Sequence, residues 1–167
     1  QAKLAFEEAK VLFEKGSFNG KSVGIIGSGP AGLSCATYLA RLGYAVTVYE
    51  KRSLAGGLDT YGMAEYKMTQ AHSLAEVKQV ENLGVEFKLN TEIEGVSEPL
   101  AVASGLTSNK VMLELKPSAT ADGSDISHDA IFLAVGLGKT NQLNILGEDK
   151  DGVMDALHFI ETIKTRD

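Results

Sequence analysis

The chain has a single cysteine, Cys35, in 167 residues. One thiol excludes an intrachain disulfide, a C-x-x-C redox pair and the set of thiolates that an iron–sulfur cluster requires. Cys35 lies in a helical run among Leu33, Ala36 and Leu39, where a small buried hydrophobe is the expected role. The three histidines, His72, His128 and His158, are scattered without ligand spacing, so no metal site is expected. Basic residues are outnumbered 16 to 22, giving a formal charge of −6, and no basic stripe exists to displace counterions from a nucleic acid. No apolar run approaches the ~20 residues of a membrane span, and no secretory leader is visible, so cytoplasmic residence without a membrane partner is expected. Glu148, Asp149 and Asp151 lack the spacing of a calcium loop, Gly138-Lys139 has no P-loop frame, and no G-x-S-x-G elbow occurs. With 44% hydrophobic residues the chain can build one domain around a real core, whereas two full nucleotide-binding domains will not fit.

What the chain does carry is concentrated between Val23 and Leu58. The apolar run Val23-Gly24-Ile25-Ile26 leads into Gly27-Ser28-Gly29-Pro30-Ala31-Gly32, then a helical run to Leu42, then Ala45 to Tyr49 and Glu50. A G-x-G-x-x-G alone is a weak signal. Placed after a strand, opening a helix, and followed by an acidic residue at the next strand end, it is a dinucleotide fingerprint. Gly27 allows the sharp turn, Gly29 keeps side chains away from a pyrophosphate, and Gly32 permits close helix–strand packing. Phosphate oxygens are expected on the free amides of the helix N-terminus, where the helix dipole is positive and Pro30 forfeits no needed hydrogen bond. Glu50 is expected to accept ribose hydroxyls, and its charge disfavours a 2′-phosphate at this turn. Lys51 follows, and soon after it Gly56-Gly57-Leu58 signals another close backbone approach to a long ligand.

The segment GSGPAGLSCATYLARLGYAVTVYEKRSLAGGL resembles the FAD-binding start of two-dinucleotide flavoprotein reductases. TYGMAEYKM, SLAEVKQVENLGVEF, AVGLGKT and GEDKDGVMDALHFIETIKTRD are similar to the glutamate synthase small subunit and the related pyrimidine-reducing dehydrogenases. The resemblance implies an α/β fold of the Rossmann-like FAD/NAD(P)-binding type, a parallel sheet with helices and an antiparallel β-meander as the crossover. It implies that the stretch from Tyr61 to Lys67 lies along the flavin, with Lys67 offering positive charge, and that the backbone near Ile93 meets the adenine. Without the resemblance, Asp59 to Gln70 reads as an irregular surface segment.

Along the remainder, Ala2 to Lys15 has the spacing of an amphipathic helix that ends at Gly16. Ser73-Leu74-Ala75-Glu76 is a capping-box pattern, which predicts a helix from about Leu74 to Leu83 with Gly84 as terminator. Val85 to Leu89 alternates as a strand. Antiparallel strands are expected between Gly95 and Ser127, with a turn at Ala121 to Ser124. Ile131 to Gly136 is apolar throughout, as suits a central parallel strand returning beside the first, with Gly136 letting the chain pass a ligand. Val153 to Lys164 is expected to be helical. The division that follows is an N-terminal helix and linker over 1–20, an FAD-binding domain over 21–150, and a helix over 151–167 leading toward an NAD(P)H domain absent from the chain.

The function this implies is the FAD-binding part of an NAD(P)H-dependent oxidoreductase that relays electrons from a nicotinamide cofactor through FAD to a further acceptor. A second G-x-G-x-x-G and the family's late Gly-Asp segment are missing. The NAD(P)H domain and the iron–sulfur clusters are therefore expected on the rest of a longer polypeptide or on a partner subunit, and weak activity is expected of these residues alone. No catalytic acid or base is implied. Two other readings stand beside it: a non-catalytic ADP- or NAD-binding module used in assembly, and an NAD-binding half of a dehydrogenase, against which Gly56-Gly57 and the stretch from Tyr61 to Lys67 count.

Overall fold

The computed structural model describes residues 12–97, 111–115 and 126–166. Strand β1 (Ser22–Ile26) runs through the glycine turn into helix α1 (Pro30–Arg41), and the chain returns as β2 (Ala45–Tyr49). A short helix α2 (Leu58–Tyr61) and a longer α3 (Gln70–Asn82) precede β3 (Glu86–Lys88). Then come β4 (Ile93–Ser97), β5 (Val111–Leu115), β6 (Ile126–His128), β7 (Ala130–Leu133) and the last helix α4 (Ala156–Lys164). The four parallel strands are ordered β3-β2-β1-β7, and β4-β5-β6 form a separate antiparallel sheet. This is the expected α/β architecture with its meander crossover. Among the described residues no helix is long and apolar enough to cross a membrane.

The core lies between the sheet and one face of each long helix. Ile25 faces Val48 in register and both are fully buried, as is Ala36 on α1. Small residues on that face, Gly32, Ala36 and Ala40, let α1 lie close to the strands. Gly43 ends α1 at φ +85°, a conformation only glycine adopts cheaply. The crossover sheet is stapled to the parallel one by a buried contact between the Tyr49 hydroxyl and His128 Nε2 at 2.8 Å. Gly24 makes room for that imidazole, since a Cβ there would stand 2.6 Å from His128 Cδ2. Burial, and secondarily the charge of Glu86, hold the Tyr49 hydroxyl well above the usual range, so it stays protonated as the histidine's partner.

Several elements differ from expectation. Of the N-terminal helix only 12–15 falls among the described residues, and these four are not helical. Phe13 instead lies under the Arg41 guanidinium at 4.6 Å and the Gly16 amide donates to Ala40 O, which ties this stretch to the C-terminal end of α1. Helix α3 begins four residues before the predicted start, capped by Thr69, whose hydroxyl accepts the His72 amide at 3.1 Å. Ser73 is no cap: it is buried, 2.7 Å from the hydroxyl of Thr60. The segment after Asp59 is not irregular surface at its start, because α2 buries Thr60 and Tyr61. Strand β7 is parallel to β1 as expected, yet it stops at Leu133 and stands at an edge of the described sheet, with Phe132 and Leu133 exposed. Helix α4 starts at Ala156, where Asp155 caps the amides of Leu157 and His158. The predicted turn at Ala121 to Ser124 lies outside the described residues.

Candidate functional site

Three glycines of the turn answer to three different pressures. Gly27 has φ +101°, and a Cβ there would fall on the carbonyl oxygen of Ala134 at the end of β7. A Cβ on Gly32 would fall on the carbonyl oxygen of Gly27. Both are required by the chain itself. Gly29 is different: its φ of −69° suits any residue, and a Cβ there would meet nothing within 4 Å. The fold does not demand glycine at 29, so the open space over it is room for something else. Pro30 and Ala31, both exposed, begin α1 beneath that space, and Leu33 makes the first helical bond, to Gly29 O at 2.9 Å. The amides of Ala31 and Gly32 come before the first carbonyl the helix supplies.

Glu50 follows directly after β2, is 8% exposed, and turns back to the glycine turn. Its Oε2 accepts from the Ser28 amide (3.0 Å) and hydroxyl (2.6 Å), and its Oε1 accepts from the Arg52 amide at 3.0 Å. A carboxylate has about four acceptor sites, so one remains, on Oε1. Ser28, fully buried, thus aims the carboxylate as well as forming the turn.

The Gly56-Gly57 hairpin closes one side of the crevice. The Gly56 amide donates to Ser28 O at 3.0 Å and approaches Ser28 Oγ at 3.3 Å, while a Cβ on Gly57 would stand 2.7 Å from Gly29 Cα. On another side, the amides of Asn90 and Thr91 donate to Arg52 O and Glu50 O, two residues before half-buried Ile93 at the start of β4. At the end of β7 the Ala134 amide donates to Ile26 O, and Gly136 follows two residues later with φ +73° and nothing within 4 Å of a Cβ. The residues at 27–32, Glu50 and Gly57 are thus joined by direct contacts beyond the carboxyl ends of β1 and β2, with Ile93 two residues past the Thr91 bond to Glu50 and Gly136 two residues past the Ala134 bond to β1. Lys51, Leu58 and Lys67 are exposed, and the Lys67 ammonium lies 5.8 Å from the ring of Tyr66. A groove of about 280 Å³ runs between α1 and α3, lined by Pro30, Leu33, Thr37 and Val80 among others.

Tyr61 belongs to the stretch that the resemblance sets along the flavin, whereas the other residues that hold the hairpin have no mark in the sequence. The Thr60 hydroxyl donates to Ala55 O at 2.6 Å, the Leu54 amide donates to the Tyr61 hydroxyl, and Arg52 stacks on Tyr61 at 4.2 Å. Lys164, from the far end of the chain, donates to the carbonyls of Asp59 and Met68. These partners are up to 105 residues apart, and no local pattern announces them.

Residues 21–165 match the family model for pyridine nucleotide-disulphide oxidoreductases. The chain belongs to the pyridine nucleotide-disulphide oxidoreductase family. It is 35% identical over 147 residues to the glutamate synthase [NADPH] small chain of Bacillus subtilis, covering 88% of this chain and 25% of that protein. It is 34% identical to the NADP(+)-dependent formate dehydrogenase subunit beta of Moorella thermoacetica, covering 87% of this chain and 18% of that one. The resemblance to glutamate synthase small chains is therefore borne out, and these relatives are oxidoreductases. This chain spans between 18% and 30% of the length of the first relatives it matches. Among solved structures, thioredoxin reductase of Lactococcus lactis superposes with a TM-score of 0.53 over 77% of this chain and 39% of its own, at 24% identity, a likeness of fold.

For a member of a family named for disulphides, Cys35 is placed for no such chemistry. It sits half-buried on α1 and burial pushes its thiol pKa up. Since the thiolate is the reactive form, iodoacetamide at pH 7 is expected to label Cys35 in the folded chain at least ~10-fold more slowly than in urea. Equal rates in mass-spectrometric time courses would contradict that placement.

Proposed function

We infer that this chain is the FAD-binding region of an NAD(P)H-dependent oxidoreductase of the glutamate synthase small-chain type. The observation that carries the reading is the unfilled space over Gly29, at the head of α1 and beside an aimed carboxylate. The residues fit a dinucleotide. The amides of Gly29, Ala31 and Gly32 hold the pyrophosphate, those of Gly27 and Ser28 being given to Tyr49 O and Glu50 Oε2, while Glu50 Oε1 takes one ribose hydroxyl, the backbone near Ile93 meets the adenine, and Gly57 and Gly136 leave room on either side. Lys51, Leu58 and Lys67 are the outer contacts, with Lys67 supplying positive charge toward an anionic ligand. When bound, the flavin supplies the redox chemistry, taking hydride from a nicotinamide and passing electrons on, while the protein contributes placement and electrostatics. In this reading residues 21–150 form the FAD domain and 151–167 lead out of it. The NAD(P)H domain and the iron–sulfur clusters belong to the remainder of a longer polypeptide or to a partner subunit.

The test is titration of the chain with FAD, followed by flavin fluorescence and the visible spectrum, in parallel with ADP and NAD. Saturable FAD binding with a dissociation constant of roughly 1–100 μM is expected, about 5–8 kcal/mol, together with little NADPH oxidation by the chain alone. Binding of ADP and NAD without any response to FAD would favour the assembly module instead.

A further inference from the structure

Helix α4 leaves large apolar residues partly exposed, while two of its charged side chains tie it to the segment before α3. Leu157, Phe159 and Ile163 are 36%, 53% and 50% exposed, whereas the Lys164 side chain is 1% exposed. The Lys164 ammonium donates to the carbonyls of Asp59 (3.0 Å) and Met68 (2.8 Å) and lies 3.8 Å from a Glu65 carboxylate oxygen. A cation that deep is stable only where protein acceptors replace its water. Asp59 belongs to α2, a helix too short to satisfy its own carbonyls. Three residues earlier on α4, and so on the same side of the helix, Glu161 pairs both carboxylate oxygens with the Arg52 guanidinium at 3.0 and 3.1 Å. That guanidinium is the one stacked on Tyr61 of α2. Two charged residues of α4 therefore grip both ends of the segment between Arg52 and Met68.

This same segment carries the Gly56-Gly57 hairpin that closes on Ser28 and Gly29. We propose that Lys164 is a positioning residue for the dinucleotide site: through the Asp59 and Met68 carbonyls it holds the hairpin against the phosphate turn, so that docking of α4 and binding of a pyrophosphate are coupled. The proposal rests on reading the turn as a dinucleotide site. By linkage, a ligand that fixes the hairpin tightens α4, and loosening α4 weakens the ligand by the same factor.

ADP serves as the probe, with calorimetry for affinity and amide hydrogen exchange on the full chain for coupling. Addition of ADP is expected to slow exchange across 157–164 as well as across 27–32, and Lys164→Met is expected to weaken ADP binding by about 10-fold or more with exchange in β1 and β2 unchanged. Unaltered ADP affinity in Lys164→Met overturns the proposal. Should that variant not fold, the unsubstituted chain decides the matter: slowed exchange in 157–164 supports coupling, and unchanged exchange there while 27–32 slows overturns it. A chain on which ADP slows no amide at all overturns the dinucleotide reading, and this proposal with it.

Discussion

Gly29→Val is expected to abolish binding of ADP and FAD, lowering affinity at least ~100-fold or about 2.7 kcal/mol, while the urea midpoint stays close to that of the unsubstituted chain. The argument is a contrast among neighbours. At Gly29 the backbone is extended and a Cβ meets no protein atom, so the fold tolerates a side chain there. The side chain occupies the space that the turn leaves for phosphate oxygens. Loss of conformational freedom in the unfolded chain even offsets the weaker helix cap, each effect being about 1 kcal/mol or less. Gly32→Ala tests the opposite case. Its Cβ falls on the Gly27 carbonyl, a rigid backbone atom, so the turn must open or α1 must lift from the sheet, at about 2–4 kcal/mol. Urea denaturation and ADP titration on both variants separate the two roles. Gly29→Val that still binds ADP tightly would place the pyrophosphate elsewhere and remove the main support for the functional reading.

The part of this architecture that could be read from sequence is the part whose causes are local. Gly27, Gly29 and Gly32, the apolar run before them and the acidic residue after β2 are each determined within a few positions of the chain. So β1, α1, β2 and the direction of β7 follow from periodicity and turn chemistry alone. Gly43 and Gly84 terminate their helices for the same reason, both having positive φ. What was not readable is determined across the fold. Helix α2 has four residues, too few for any periodic signal, and its form depends on Thr60 meeting Ser73 and on a lysine from the last helix. Ser73-x-x-Glu76 has the pattern of a cap, and the pattern lost because the Thr60 hydroxyl claimed Ser73 while Thr69 capped the helix one turn earlier. Lys67 and Lys164 are both lysines in mixed surroundings, yet one is exposed and the other nearly completely buried. Only the tertiary arrangement distinguishes them.

Glu50 carries the second large expectation, because it serves the fold and the ligand through different oxygens. Glu50→Leu keeps roughly the same volume and removes the acceptor for the Ser28 amide and hydroxyl and for the Arg52 amide. Ser28 is fully buried, so its amide finds no water in exchange, and a loss of about 3–5 kcal/mol is expected in denaturant unfolding. Glu50→Gln separates the roles. The amide oxygen can keep both Ser28 donors, leaving the NH2 group toward the Arg52 amide, so one hydrogen bond is lost, at about 1–2 kcal/mol. The remaining ribose acceptor on Oε1 disappears as well, and ADP affinity is expected to fall by about 10-fold, which is 1.4 kcal/mol. The negative charge disappears with it, so the preference for ADP over its 2′-phosphorylated counterpart should shrink by at least ~10-fold in Glu50→Gln, the like-charge repulsion being removed. Competitive titration of the two ligands measures that ratio. An unchanged ratio would mean that the 2′ position lies away from Oε1, so that Ser28 holds the carboxylate for the sake of the turn alone.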